Sequence, residues 1–407
     1  MQDTKFSYTD ETSFITQEMM KETSKSKNHL VIGIPKEYCD EEKRLAFTPE
    51  AVNMIVDAGH RVVLETEAGL GINYSDSRYS ESGAEIVQDK ETVFQSDIIF
   101  KISPPTIEEI GMMKHRAAIC SMLQLSDFSK ETILAMTGKK LNGIGYELIL
   151  EDNGKSYPVR TAISEIEGAA AISVASELLS NTHGGKGVLM GGVPGISPTE
   201  VIIIGAGAAG TMAARTALSM GASVKVFDND VNKLRNIQSV LGRALFTSVF
   251  QPNVLFNAFR TADVVIGTLR YIDINSSVCY TITEDMIKTM KKGALIIDLR
   301  VNQGGCFETS CFLPEDHPKI FEKYGVLHYC VPNLSSRVAR TASMALSNIF
   351  TPLIIQMGES GKITGITQAD NSFRLGFYMY GGKLVNSYVA GRFNLPSNDI
   401  GLFLSAY

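Results

Sequence analysis

The stretch "VIIIGAGAAGTMAARTALSMGASVKVFDND", residues 201–230, constrains the fold of this chain more than any other. An apolar run of strand type leads into Gly205, Gly207 and Gly210, which form G-x-G-x-x-G directly before an Ala-rich helical segment. The first glycine permits a tight turn, the second lets backbone approach a pyrophosphate, and the third allows helix and strand to pack closely. A helix N-terminus placed there offers unpaired N–H groups and a positive dipole end to an anion. The next strand ends at Asp228, roughly 20 residues further on, where a carboxylate accepts from ribose hydroxyls. The same carboxylate repels a 2′-phosphate, so NAD is favoured over NADP. Lys233 and Arg235 follow; they read as solvated helix charges that temper the preference, and Lys233 is counted among the cofactor candidates.

Around this unit the chain alternates short β-branched runs with helix-length segments. "LVIGIPKE", "RVVLETE", "SDIIFKIS", "AAICSMLQLS" and "LNGIGYELIL" read as strands, and "TPEAVNMIVDAGH" and "SDSRYSESGAEIV" as helical. Thr48-Pro49 has the form of an N-cap followed by proline in the first turn. Strand and helix in alternation predict a parallel sheet covered by helices on both faces. A second such series runs through "VIIIGAG", "SVKVFD", "DVVIGTL", "ALIIDL" and "GVLHYCV". Two long helical segments, "TAISEIEGAAAISVASELLSN" and "SRVARTASMALSNIFTPLIIQMGES", bracket it. The first spans about five turns, longer than a linker needs. The expected division is a polar extension (1–29), a discontinuous first domain (30–158 plus 338–407) and a nucleotide domain (159–337).

Composition narrows the function classes. With 44% apolar residues there is ample core, and a net charge of −6 argues against nucleic acid or an anionic membrane as partner. No uninterrupted apolar run has the length of a membrane span, and residues 1–29 lack the apolar core of a secretory signal. Six cysteines without a CxxC pair suggest reduced thiols and a cytoplasmic setting. The six histidines show no metal-ligand spacing, so no metal is expected. His328, in the strand "HYCVPN", is the one singled out for testing.

Four segments resemble the alanine dehydrogenase family, whose fold is shared with the NAD-binding subunit of proton-pumping transhydrogenase: "IGIPKEYCDEEKRLAFTPEAV", "GGKGVLMGGVPGISPTEVIIIGAGAAG", "NQGGCFET" and "HYCVPNLSSRVARTASMALSN". The resemblance implies an α/β fold of two Rossmann-like, doubly wound parallel-sheet domains joined by long linking helices. It implies a cleft between them, a homohexamer, and reversible oxidation of L-alanine by NAD to pyruvate and ammonia. Arg44 falls where the substrate-carboxylate arginine sits; on spacing alone it reads as a surface arginine before a capped helix. Lys101 matches the lysine at the substrate's carboxylate and carbonyl or amino region, a strand-end lysine facing solvent being the plain alternative. Ser164 matches a contact near the nicotinamide, and a helix N-cap is compatible with that. Asn333 and Leu334 match the lip beside the nicotinamide.

Two positions depart from the family pattern. Gln124 stands where the family carries a histidine acid/base, and Asn302, in the turn "RVNQGGCFET", where it carries an aspartate. Neither amide titrates, although both can orient a water or carbonyl. The titratable candidates nearby are Lys101, if burial depresses its pKa, and Glu147, which reads more readily as a supporting acid. Three readings stay open: an alanine-type dehydrogenase acting on a 2-amino or 2-oxo acid, a transhydrogenase-like NADH module, and a silent NAD-binding paralogue.

Overall fold

The computed structural model describes residues 29–39, 41–123, 128–151, 156–269, 282–311, 319–360 and 374–401. Gln124 and most of the loop after "DVVIGTL" lie outside the described residues, as does Cys279.

The first half folds as six parallel strands: β1 (Val31–Ile34), β2 (Arg61–Glu65), β3 (Glu85–Val87), β4 (Ile98–Phe100), β5 (Ala118–Ser121) and β6 (Asn142–Gly145). The second contains β7 (Glu200–Ile204), β8 (Ser223–Phe227), β9 (Phe246–Ser248), β10 (Val264–Gly267), β11 (Leu295–Asp298), β12 (Ile320–Lys323) and β13 (Val326–Tyr329). β14 (Phe377–Tyr380) and β15 (Lys383–Leu384) return to the first sheet. The sheet orders are β15-β14-β6-β5-β4-β1-β2-β3 and β12-β13-β11-β10-β7-β8-β9. Both contain the doubly wound 3-2-1-4-5-6 order, which reverses between β1 and β4 in one sheet and between β7 and β10 in the other. Ligands of such sheets sit beyond the carboxyl ends at that reversal. β12, β14 and β15 are antiparallel additions.

The central strands are fully buried, as in "VVIG" of β10 and "LIID" of β11. Burial on both faces explains why they read as continuous apolar runs rather than alternating ones. Half-exposed edge strands lack that signal. β3 lies within a segment whose sequence pattern predicts helix; only Asp76–Glu81 is helical there.

Two helices tie the halves together. The linking helix Pro158–Leu178 begins with proline in its first turn, where the missing N–H costs nothing. Gly168 lets it approach the helix Ala208–Ser219: a Cβ there would lie 2.1 Å from the Ala209 carbonyl oxygen. The returning helix Ala339–Ser360 carries Leu346, Phe350, Ile354 and Met357 into the first core. Phe350 packs against Phe100 and Tyr146 with ring centroids 5.4 and 5.5 Å away. The segment Leu334–Met357 is long and apolar enough to cross a bilayer by composition alone, but these residues spend its apolar face on the core.

Candidate active site

The glycine turn connects β7 to the helix Ala208–Ser219 at the reversal point of the second sheet. Gly205 has φ +112°, a conformation that L side chains rarely adopt. A Cβ on Gly210 would lie 1.9 Å from the Gly205 carbonyl oxygen, so the third glycine is required by packing. Gly207 differs: a Cβ there meets nothing within 4 Å. It caps the helix and faces open space, which is what a pyrophosphate approaching the helix N-terminus needs. The Thr268 hydroxyl, at the end of β10, lies 3.1 Å from the Ile204 and Gly205 carbonyls and holds the turn from across the reversal.

Asp228 closes the far side. Its Oδ2 accepts from the Ala206 N–H at 2.8 Å and its Oδ1 from the Asp230 N–H at 2.9 Å. Each oxygen keeps lone-pair capacity for a ribose hydroxyl while the carboxylate is fixed against the turn. The turn, the open Gly207 face and the oriented acid together fit NAD, and NAD is the cofactor of this chain. Lys233 sits exposed on the helix Val231–Leu241, a solvated charge outside the turn.

At the end of β11 the chain makes a 3₁₀ turn, Val301–Gln303, followed by Gly304 and Gly305 at φ +100° and +75°. The buried Asp298 carboxylate organises it by accepting from the Arg300 N–H (2.9 Å), the Cys306 N–H (2.6 Å) and the Ser310 hydroxyl. Asn302 stands exposed on this turn, on the rim of the nucleotide sheet. The lip opposite begins at Asn333, which adopts a left-handed φ of 54° and starts the 3₁₀ helix Leu334–Val338; Leu334 itself is buried.

Arg44 reaches this lip from the first half. Its Nε and Nη2 donate to Glu42 Oε1 and Oε2 at 2.7 and 2.5 Å, and its Nη1 donates to Ser335 Oγ at 3.0 Å. Burial opposes the charge, but the Glu42 carboxylate outweighs it and raises the guanidinium pKa further. Three of five N–H donors are used, leaving two for an incoming carboxylate. The loop around Arg44 is stitched to this 3₁₀ helix and to the returning helix by a row of serines. Ser336, Ser343 and Ser347 accept from the backbone N–H groups of Lys43, Leu45 and Thr48 at 2.8, 2.8 and 2.9 Å.

Lys101 is held differently from the expectation. Its ammonium lies 3.2 Å from Glu37 and 3.6 Å from Glu109 and is 5% exposed. Burial pulls its pKa down, but the two carboxylates override that and the net shift is upward. The burial-depressed lysine that could have carried protons is therefore absent. Its partner Glu37 also accepts from the Ile102 N–H at 2.6 Å, and burial pushes its carboxyl upward. Glu147 anchors the end of β5 by accepting from the Leu123 N–H at 2.6 Å.

Ser164 is not an N-cap, because the linking helix starts at Pro158 with Tyr157 at its cap. It lies at the end of the second helical turn, nearly buried, one turn before Glu167. His328 is a satisfied core residue: Nδ1 donates to the Val326 carbonyl at 2.9 Å, and Nε2 pairs with the Thr309 hydroxyl at 2.7 Å. It stacks on Phe321 and does not reach the cleft. Among the described residues no disulfide forms, and the thiols of Cys120, Cys306 and Cys330 are buried. Among the described residues no group of three or more His, Cys, Asp or Glu could hold a metal.

Comparison with known proteins completes the site. Residues 33–167 match the alanine dehydrogenase/PNT N-terminal domain and residues 171–387 the corresponding C-terminal domain. The chain belongs to the alanine dehydrogenase/PNT family. It is 35% identical over 372 residues to an alanine dehydrogenase of Staphylococcus saprophyticus, covering 91% of this chain and 99% of that one. Against the Bacillus subtilis alanine dehydrogenase it is 33% identical over 362 residues, 89% and 94% of the two chains. A solved L-alanine dehydrogenase superposes with a TM-score of 0.82 at 29% identity, covering 90% of this chain and 99% of that one. A transhydrogenase from Sinorhizobium meliloti shares the fold, with a TM-score of 0.73 at 23% identity over 88% and 99% of the chains. As in the family's two-domain pattern, Arg44 and the glycine turn come from different sheets.

The sequence reading missed the residues that hold the others in place: Glu37, Glu42, Asp298 and the pair Glu167–Arg300, whose Oε2 and Nη1 are 3.5 Å apart. "PKE" after the first strand and "EEKR" before the first helix were the available signals for the first two.

Proposed function

We propose that this chain is an NAD-dependent amino-acid dehydrogenase of the alanine dehydrogenase type. It interconverts a 2-amino acid with its 2-oxo acid and ammonia. The observation carrying this reading is the Arg44–Ser335 bond: it brings a guanidinium with two spare donors to the 3₁₀ helix that begins at Asn333 and Leu334. NAD, when bound, supplies the hydride acceptor. Gly207 and the helix behind it receive its pyrophosphate, Asp228 its ribose, and Ser164, Asn333 and Leu334 lie toward its nicotinamide. Arg44 binds the substrate carboxylate, and Lys101 supports that end of the cleft through Glu37.

Gln124 and Asn302 orient water and carbonyl without exchanging protons. A positioned acid or base contributes typically about 10²- to 10⁴-fold. Lacking both, and with non-additivity, alanine turnover falls by roughly four orders of magnitude from an ordinary value of about 10 s⁻¹. The two-body division is part of this reading, supported by the pairing of β14 with β6, as are a cytoplasmic, homohexameric setting and a small-molecule substrate. The test is NADH oxidation with ammonium across a panel of 2-oxo acids; no turnover above blanks for any of them sinks it.

A second reading is favoured by one observation: Lys101 is locked between two carboxylates and the two amide positions cannot titrate. On it the chain is a silent NAD(H)-binding paralogue or a transhydrogenase-like module. Tight NADH binding without turnover on any acid distinguishes it.

A further inference from the structure

Arg160, Ser164 and Glu167 recur on the linking helix at i, i+4 and i+7, the spacing of one face. Arg300 approaches Glu167 from the end of β11, two residues before Asn302, with a side chain only 8% exposed. Its ion pair with Glu167 uses Nη1. Its Nε–H is buried and has no hydrogen-bond partner, and the same holds for the Nε–H of Arg160. Arg160 lies over the Tyr157 ring, 4.3 Å from its centroid, and among the described residues no ion pair reaches it. Buried donors on permanent cations are almost always partnered in native proteins, so two in one cleft mark a missing acceptor.

The guanidinium fork presents an end-on edge, Nη1 with Nη2, and a side-on edge, Nε with Nη2. Glu167 engages Nη1, so the side-on edge of Arg300 is the open one, and a carboxylate matches it bidentately. The methyl group of alanine or pyruvate offers such an edge nothing. Glu42 is committed to Arg44 and Glu167 sits on Arg300 Nη1, while Glu147 holds the Leu123 N–H through Oε1 and its charge also acts on Arg160. Burial pulls the Arg160 pKa down, Tyr157 and Glu147 oppose it, and the neighbouring Arg300 charge adds a smaller downward pull.

We propose that Arg300 and Arg160 form a second anion subsite in the cleft, which receives the distal carboxylate of a four- or five-carbon 2-oxo or 2-amino dicarboxylic acid while Arg44 receives the first. This rests on the dehydrogenase reading of the cleft and names its substrate class. Arg300 and Arg160 are then specificity-determining, and Glu167 positions Arg300.

The test is calorimetric titration of the full chain, saturated with NADH, with 2-oxoglutarate, oxaloacetate and pyruvate. A dicarboxylate binds at least about tenfold tighter than pyruvate, the scale of one charge-assisted pair. Arg300→Ala and Arg160→Ala each reduce that ratio toward one while NADH affinity stays unchanged. Arg160 is partly exposed, so its variant carries the test if Arg300→Ala does not fold. Pyruvate binding as tightly as both dicarboxylates overturns the subsite and leaves the dehydrogenase reading standing. A dicarboxylate preference that survives both substitutions also overturns it. If none of the three acids binds, the dehydrogenase reading itself fails and the subsite with it.

Discussion

Replacing Glu42 by alanine tests how Arg44 is held. The two side chains are 2% and 4% exposed, so the pair is sealed from water on both sides. Truncation removes the acceptor for three N–H groups: Arg44 Nε, Nη2 and the backbone N–H, the last at 3.0 Å. It leaves a guanidinium buried with Ser335 as its remaining partner at the lip. Breaking a buried ion pair from one side costs about 3–5 kcal/mol. At about 2–4 °C per kcal/mol for a unit of this size, thermal melting falls by roughly 6–20 °C. Glu42→Gln keeps an acceptor without the charge and falls between the two. The same change frees two guanidinium donors that Glu42 had occupied. Pyruvate in the presence of NADH therefore raises the melting temperature of the variant more than that of the parent protein. Differential scanning fluorimetry with and without pyruvate reads both effects. A variant melting within about 2 °C of the parent, well under the cost of a broken buried pair, refutes the clamp. Absence of pyruvate stabilisation in both proteins refutes Arg44 as a carboxylate receptor.

Three further perturbations follow from the geometry. Gly207→Ala folds with unchanged melting temperature yet loses NADH affinity, because its new methyl points into open space where the pyrophosphate approaches; Gly210→Ala drives a Cβ against the Gly205 carbonyl and lowers melting as well, and fluorescence titration paired with thermal melts separates them. The double change Gln124→His with Asn302→Asp raises alanine oxidation by about two or more orders of magnitude in a steady-state assay. Asp263, which accepts from Lys186, the Glu200 N–H and Lys291, has its carboxyl held below the ordinary value by those partners although burial works against them. A depressed carboxyl contributes stability that is complete above its unfolded pKa near 3.8 and disappears as pH falls through the folded value. Asp263→Asn is thus less stable than the parent at neutral pH by about 1–3 kcal/mol, and denaturation curves of the two converge in strong acid.

What the sequence could reveal follows from how local each signal is. The glycine turn was legible because its three glycines answer to constraints within one strand–helix unit, and Asp228 because the next strand places it. Central strands such as β7 and β10 were legible because burial on both faces leaves unbroken apolar runs. β3 and β12 were not, since short edge strands depend on their neighbours more than on their own residues. The start of the linking helix was misplaced although Pro158 marks it, and with it the N-cap reading of Ser164. Acid partners were the least visible part of the site. Glu37 and Glu109 meet Lys101 only once the end of β1, the end of β4 and a separate helix converge, and no periodicity records that. The same convergence replaced a depressed lysine with a firmly charged one. Arg300 carried no signal in the sequence; its ion pair with Glu167 and its unpartnered Nε–H exist only in the fold.

The most direct test of the account is the initial rate of NADH oxidation by the full chain with ammonium and each of a panel of 2-oxo acids. The account predicts ammonium-dependent turnover on at least one acid, with the rate on pyruvate orders of magnitude below about 10 s⁻¹. Tight NADH binding with no ammonium-dependent oxidation of any acid contradicts it.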